Sequence, residues 1–301
     1  MRQIAKMFVF CLAFSSLLFA ADYRFVRIDF PNAAATAVGS INARGDVSGK
    51  YDDVSGVTHG FLLRKGVFST IDFPDASFTS ARAMNARGDI AGRIHDANGN
   101  DHGFLLHDGH FTQINYPGAT ATVGRGINNA GDITGNHVDS AGNESGFILQ
   151  DGKFHNVQAP HSFGSICGTD VWMAADNGRL AVGDFCDNRD QSLHGYLRDR
   201  AGEFRNIDFP SGGTFPCTSA HYINERGDIT GYYGVADTAD ECFNGTYHGF
   251  VLREGKYIAI DFPGADFNVA HAINDDRVIV GFYFDRQGVS HGFKAVPKDD
   301  H

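Results

Sequence analysis

Arg82, Arg125, His221 and His271 each stand three residues before an asparagine that opens a short turn: Asn85, Asn128, Asn224 and Asn274. The same count gives Gly39 before Asn42 and, in a degenerate copy, Met173 before Asp176. Guanidinium and imidazole groups gathered at one place would hold a carboxylate, phosphate or sulfate, even in a chain of formal charge −11. An imidazole there could also act as the base of a hydrolase or lyase, with His221 or His271 as the candidate. Two histidines do not make a metal centre, which takes three or four ligands at about 2 Å, so neither metal nor cofactor is expected. The competing structural reading pairs these residues with buried carboxylates or fills an axial channel with them. Trp172, the single tryptophan, lies in the region of the irregular fourth and fifth copies, as a ligand contact or as core.

Other motifs carry less chemistry. Arg-Gly-Asp occurs at Arg44–Asp46, Arg87–Asp89 and Arg226–Asp228, but other copies keep Gly-Asp and change the rest, as in "NNAGD" at Asn128. A turn explains that pattern, since Asn starts and Gly closes a tight reversal. The histidines of "HGF" (His59, His102, His248, His291, with "HGY" at His194) fall on strands too far apart to share an ion. They are expected to pack and hydrogen-bond between neighbouring repeats. Loops such as Asp96–Asp101 and Asp139–Glu144 have the composition of hairpins rather than of calcium loops. The sequence contains no HExxH and no phosphate loop.

What must position these residues is a repeat. "IDFP" recurs at Ile28, Ile71, Ile207 and Ile260, with "INYP" at Ile114 and "VQAP" at Val157. The step from Asn42 to Asn85 to Asn128 is 43 residues each time, and six copies fill Phe25 to Pro297. Glycine, 37 residues in all, interrupts nearly every window that could hold a long helix. Each copy contains four strand-like pieces, so the expected fold is all-β: a six-bladed β-propeller with four strands per blade. The strand ending in the turn Asn is innermost, "GDI" second, "HGF" third and "IDFP" outermost. The chain begins on an outermost strand, Phe25–Phe30, which is expected to complete the last blade.

The combination of "GINNAGDITG", the "HGFLL" strands and "IDFPGA" resembles the bacterial extracellular HAF repeat family, named for a His-Ala/Gly-Phe signature. The resemblance covers almost all of the chain after its first residues. It implies an exported repeat scaffold and no particular reaction.

Residues 1–21 have the layout of an export signal: basic Arg2 and Lys6, an apolar run from Met7 to Phe19, then Ala20 and Ala21. Residues 22–297 form the expected single domain and 298–301 a short tail. Losing Arg2 and Lys6 leaves 23 basic against 36 acidic residues, a formal charge of −13. That balance argues against nucleic acid, and no later segment is apolar for long enough to span a bilayer. Four cysteines remain, and their places in the repeat favour Cys167–Cys186 and Cys217–Cys242, as befits a secreted or periplasmic chain. All four, with an insertion at Gly234–Tyr247, map to one face. The leading expectation is a binding scaffold for a small anionic molecule, a glycan or a protein, with Arg82, Arg125, His221, His271 and Trp172 as the site. The alternatives are the hydrolase or lyase above and a surface component without a small ligand.

Overall fold

The computed structural model describes residues 23–162, 167–176 and 180–298; the expected export signal falls outside them. Each repeat folds into four antiparallel strands in chain order. In the second repeat these are Phe78–Met84, Ile90–His95, Asp101–His107 and His110–Ile114. The first two four-stranded sheets are joined by one parallel bridge, Thr58 with Phe78, and the other four stand as separate sheets. In the last sheet the outer strand is Tyr23–Ile28, paired with Ser290–Pro297 from Tyr23 opposite Pro297 to Ile28 opposite Gly292. The expected pairing of the two chain ends is therefore present, two residues earlier than the sequence suggested.

Three features of the repeat account for the stacking of sheets. The first is the turn. Asn85 Oδ1 accepts from the backbone N–H groups of Arg87, Gly88 and Asp89, and Gly88 takes a φ of 98° that L-residues avoid. Its Nδ2 donates to the carbonyl of Asn128 in the next sheet, at 3.2 Å. The same link runs from Asn128 to Ala175, from Asn224 to Asn274, and from Asn274 of the last sheet to Asn42 of the first, at 3.3 Å. The aspartates of the Arg-Gly-Asp copies are buried, and Asp46, Asp89 and Asp228 are held by Arg64, His107 and Arg277. The tripeptide is hairpin structure with no free carboxylate.

Aromatic packing is the second. The Phe of "HGF" and the matching Tyr196 are wholly buried in every copy, each worth about 1.5–3 kcal/mol of burial. The aromatic of "IDFP" crosses to the following sheet: Phe30 stacks on Tyr51, Tyr116 on His137, Phe209 on Tyr233 and Phe262 on Tyr283, with centroids 3.6–3.9 Å apart. The "HGF" histidines behave differently from expectation. Each binds the residue after Ile of its own sheet's outer strand, as in His59 with Asp72 at 2.9 Å and His102 with Asn115 at 2.7 Å. His291 does the same with Asp29 of the N-terminal strand, 3.1 Å away. Phe rather than His joins the repeats, because the strand leaves the sheet after Ile and carries only the later ring across.

The third feature is a bulge. Every inner strand holds one extra residue against its neighbour: Gly39, Arg125, Trp172, His221 and His271, and within the pair Ala81–Arg82 in the second sheet. A glycine of the second strand makes room. A Cβ on Gly49, Gly92, Gly135, Gly183, Gly231 or Gly281 would fall 1.9–2.3 Å from an inner-strand carbonyl oxygen. This is the closing Gly of "GDITG" and its variants.

Candidate functional site

The bulges decide which side chains meet. Arg82, Arg125, Trp172, His221 and His271 line one cavity of about 360 Å³, together with Gly39 at the first-sheet position. The fourth copy needs a correction to the sequence count. Its turn runs from Ala175 N to Leu180 O, one residue longer than the others, so Ala175 stands in the place of the turn Asn. Trp172, not Met173, therefore occupies the shared position, while Met173 packs into an apolar cluster with Val182, Ile207 and Phe209.

Each side chain reaches this cavity with a different set of partners. Arg125 is anchored: its Nη2 lies 2.5 Å from Asp170, its Nε donates to Asn136 at 2.8 Å, and its guanidinium covers the Trp172 ring at 4.1 Å. Trp172 Nε1 donates to Asp184 at 2.6 Å, and Ser219 binds the same carboxyl. His221 stacks on the other side of this group, 3.7 Å from the indole centroid, with His271 at 4.7 Å edge-on. Arg82 is not anchored. Its Nε is buried without a hydrogen-bond partner among the described residues, and so are both ring nitrogens of His221, a side chain only 4% exposed.

The electrostatics follow from burial. Arg82 is lowered to about 9 by desolvation and by the repulsion of Arg125 and Arg93, which leaves it charged at neutral pH. Desolvation first, then Arg82 and Arg125, take His271 down to about 3. His221 is held well below its ordinary value by burial, His271 and Arg125. Behind the cup, burial and Asp170 push Asp184 up to about 7 and Glu144 up to about 8. Glu144 is bound by Asn136 and faces Gly168 N. Asp184 and Glu144 thus lose much of their charge, while Arg82 keeps its own.

The open side of the cavity is aromatic. Tyr232, Tyr247, Phe267 and Phe282 form its wall. Both expected disulfides, Cys167–Cys186 and Cys217–Cys242, are present. Their cysteines share one buried cluster against which Tyr232 and Tyr247 pack. The insertion supplies a helix, Ala239–Asn244, whose N-cap Thr238 accepts from Glu241 N. Its Cys242 carbonyl takes the Tyr247 hydroxyl at 2.8 Å. The irregular repeats therefore steady one wall of the cup. Two disulfides fit an oxidising compartment, and among the described residues no helix is long and apolar enough to cross a membrane.

A second cavity lies at the other end of the inner strands, lined by the turn residues Asn42, Asn85, Asn128 and Asn274 with Asp176, Glu225 and Asp275. It offers about 60 Å³, and its polar groups bind one another: Asn129 N to Asp176, Asp176 N to Glu225, Glu225 N to Asp275. Asp187, Asp190 and His194 also approach one another, but Arg189 and Ser192 already hold the two carboxylates.

No family model matches the chain, and no curated protein is similar to it in sequence. Solved structures are similar in shape. TolB from Acinetobacter baumannii superposes with a TM-score of 0.55 at 10% identity over 89% of this chain and 65% of that one. The fucose-specific lectin from Aleuria aurantia, whose fold is a six-bladed β-propeller, gives 0.54 at 12% over 88% and 93%. Trypanosoma rangeli sialidase in complex with sialic acid gives 0.53 at 10% over 94% and 58%. At such low identity the likeness defines the class of fold, a β-propeller, and nothing of the ligand.

Proposed function

We propose that the chain is an exported β-propeller, closed as a ring of six blades and allied to the HAF repeat proteins, that binds a small anionic ligand at the centre of its disulfide-bearing face. One observation carries this: Arg82, whose Nε is buried without a partner, lines the same cavity as His221, whose two ring nitrogens are both unpaired. Burying a guanidinium donor without an acceptor is costly, and an incoming carboxylate or phosphate would supply the acceptor. The propeller neighbours support a binding scaffold; the Aleuria aurantia lectin among them is fucose-specific, which keeps a glycan among the partners to be tried.

The enzyme alternative loses ground on its own candidates. His271, at about 3, is too weak a base to hold a proton at neutral pH, and His221 is shifted the same way. The test is differential scanning fluorimetry of the folded protein against acetate, phosphate, sulfate, fucose and aryl acids. A saturable rise in midpoint with at least one anion is expected. No shift with any anion would overturn the reading.

A further inference from the structure

The anion site occupies only one end of the cavity, and the remainder constrains what else the ligand carries. Several polar groups in and behind this cavity are already committed. The Tyr247 hydroxyl goes to Cys242 O, Trp172 Nε1 to Asp184, Asn136 to Glu144 and Arg125. Among the buried polar atoms of the lining, Arg82 Nε and both His221 ring nitrogens stay unpaired, and both residues stand at bulge positions. Away from these the wall is apolar: Val38, Val269, Phe267 and Phe282. Through Phe267, Phe282 and Lys50 the cavity continues into a second space of about 570 Å³, edged by Phe284 and Val289. A polyhydroxylated ring placed against the phenylalanines would lose water from its hydroxyls and find few partners for them on that wall. A flat apolar ring would lie edge-on or offset against the phenylalanines, as such rings prefer. The first cavity, about 360 Å³, is near the lower end of ligand pockets and suits one ring with a short arm.

We infer that the ligand is an apolar carboxylic acid of the aryl or arylalkyl class, its carboxylate on Arg82 and His221 and its ring against the wall that Phe267 and Phe282 form, their centroids 6.3 Å apart. This rests on the anion-binding reading of the same cavity and makes it specific. Arg82 supplies a charged donor, and neutral His221 supplies one N–H beside it. Arg125, tied to Asp170 and laid over Trp172, forms the floor rather than a second clamp. Lys50, between the two cavities, adds a cation at the rim.

Isothermal titration at pH 7 with phenylacetate, its neutral analogue phenylacetamide, galacturonate and inorganic phosphate tests this. Phenylacetate is expected to bind one to one; phenylacetamide, which loses the charge-assisted contact, and galacturonate, whose hydroxyls lose water against the apolar wall, are expected about 30-fold more weakly or not at all. Arg82→Met should lose phenylacetate by a similar factor, with its fold checked by circular dichroism; Arg82→Lys should recover part of it. Galacturonate or phosphate binding at least as tightly as phenylacetate would overturn the apolar class and leave the anion site standing. Phenylacetamide equal to phenylacetate, or silence from all four, would overturn both.

Discussion

Two sets of residues on the inner strands of this molecule, one at the turns and one at the bulges, are opposites. At the turns, Asn42, Asn85, Asn128, Asn224 and Asn274 are the same residue, and four of them donate to a carbonyl of the neighbouring turn. At the bulges, one backbone distortion presents Gly39, Arg82, Arg125, Trp172, His221 and His271, no three of them alike. A position whose neighbour is always the same repeat converges on one solution. A position that faces a shared space has five different partners, and its residues specialise. Sameness here marks the scaffold, and variety on an unvarying backbone marks the site.

That contrast can be broken from the scaffold side first. Gly135→Ala would put a Cβ 1.9 Å from Val123 O, a clash with backbone that cannot move aside. About 4 kcal/mol or more of destabilisation is expected, read by urea denaturation, and failure to fold would agree. Asn85→Ala removes the acceptor of three backbone N–H groups and the link to Asn128, so a loss of about 2–3 kcal/mol is expected by the same measurement. A loss below 0.5 kcal/mol would deny the turn set its role.

The electrostatics behind the cup give a smaller effect with a definite sign. Asp184 and Glu144 have folded-state values above the ordinary carboxyl range, so the native protein holds protons that the unfolded chain releases. Their favourable contribution is present at low pH and is lost as pH rises through about 7 to 8. His59, His194 and His248, raised by their aspartates despite desolvation, act in the same direction above pH 6.5. The thermal midpoint should therefore fall from pH 6.5 to 8.5, and Asp184→Asn should flatten the slope by up to about 1.4 kcal/mol per pH unit. An unchanged slope would contradict the burial assigned to Asp184. Smallest of all, Arg82→Met should cost no stability and could add up to about 1 kcal/mol, because it removes a buried, unpaired donor.

Much of this was legible in the sequence for a physical reason. Strand order, hairpins, the pairing of the chain ends and both disulfides follow from motifs repeated six times with small local variation. The set of Arg82, Arg125, His221 and His271 was also visible, since counting back from the turn Asn works wherever the turn has its usual length. It failed at Trp172, where the turn after Ala175 is one residue longer and shifts the count onto Met173. The bulge itself was overlooked, although the last Gly of "GDITG", kept in all six copies even where Asp is lost, was its signal. The histidine bonds were assigned between repeats because spacing shows that His recurs but not which way its ring points. The aromatic wall is harder to read: Tyr232 and Phe282 share the place after the closing Gly, but Tyr247 and Phe267 come from other strands, and packing on the cysteine cluster involves only the two tyrosines.

The most direct measurement uses Trp172, the single tryptophan of the chain, which sits in the cup under Arg125. A positive cup in a negatively charged protein should draw anions and repel cations at that one ring. Quenching of its fluorescence at matched ionic strength should be several-fold stronger with iodide than with caesium, and Arg82→Met should narrow the gap. Caesium quenching as strongly as iodide, or a gap untouched by Arg82→Met, would contradict the account.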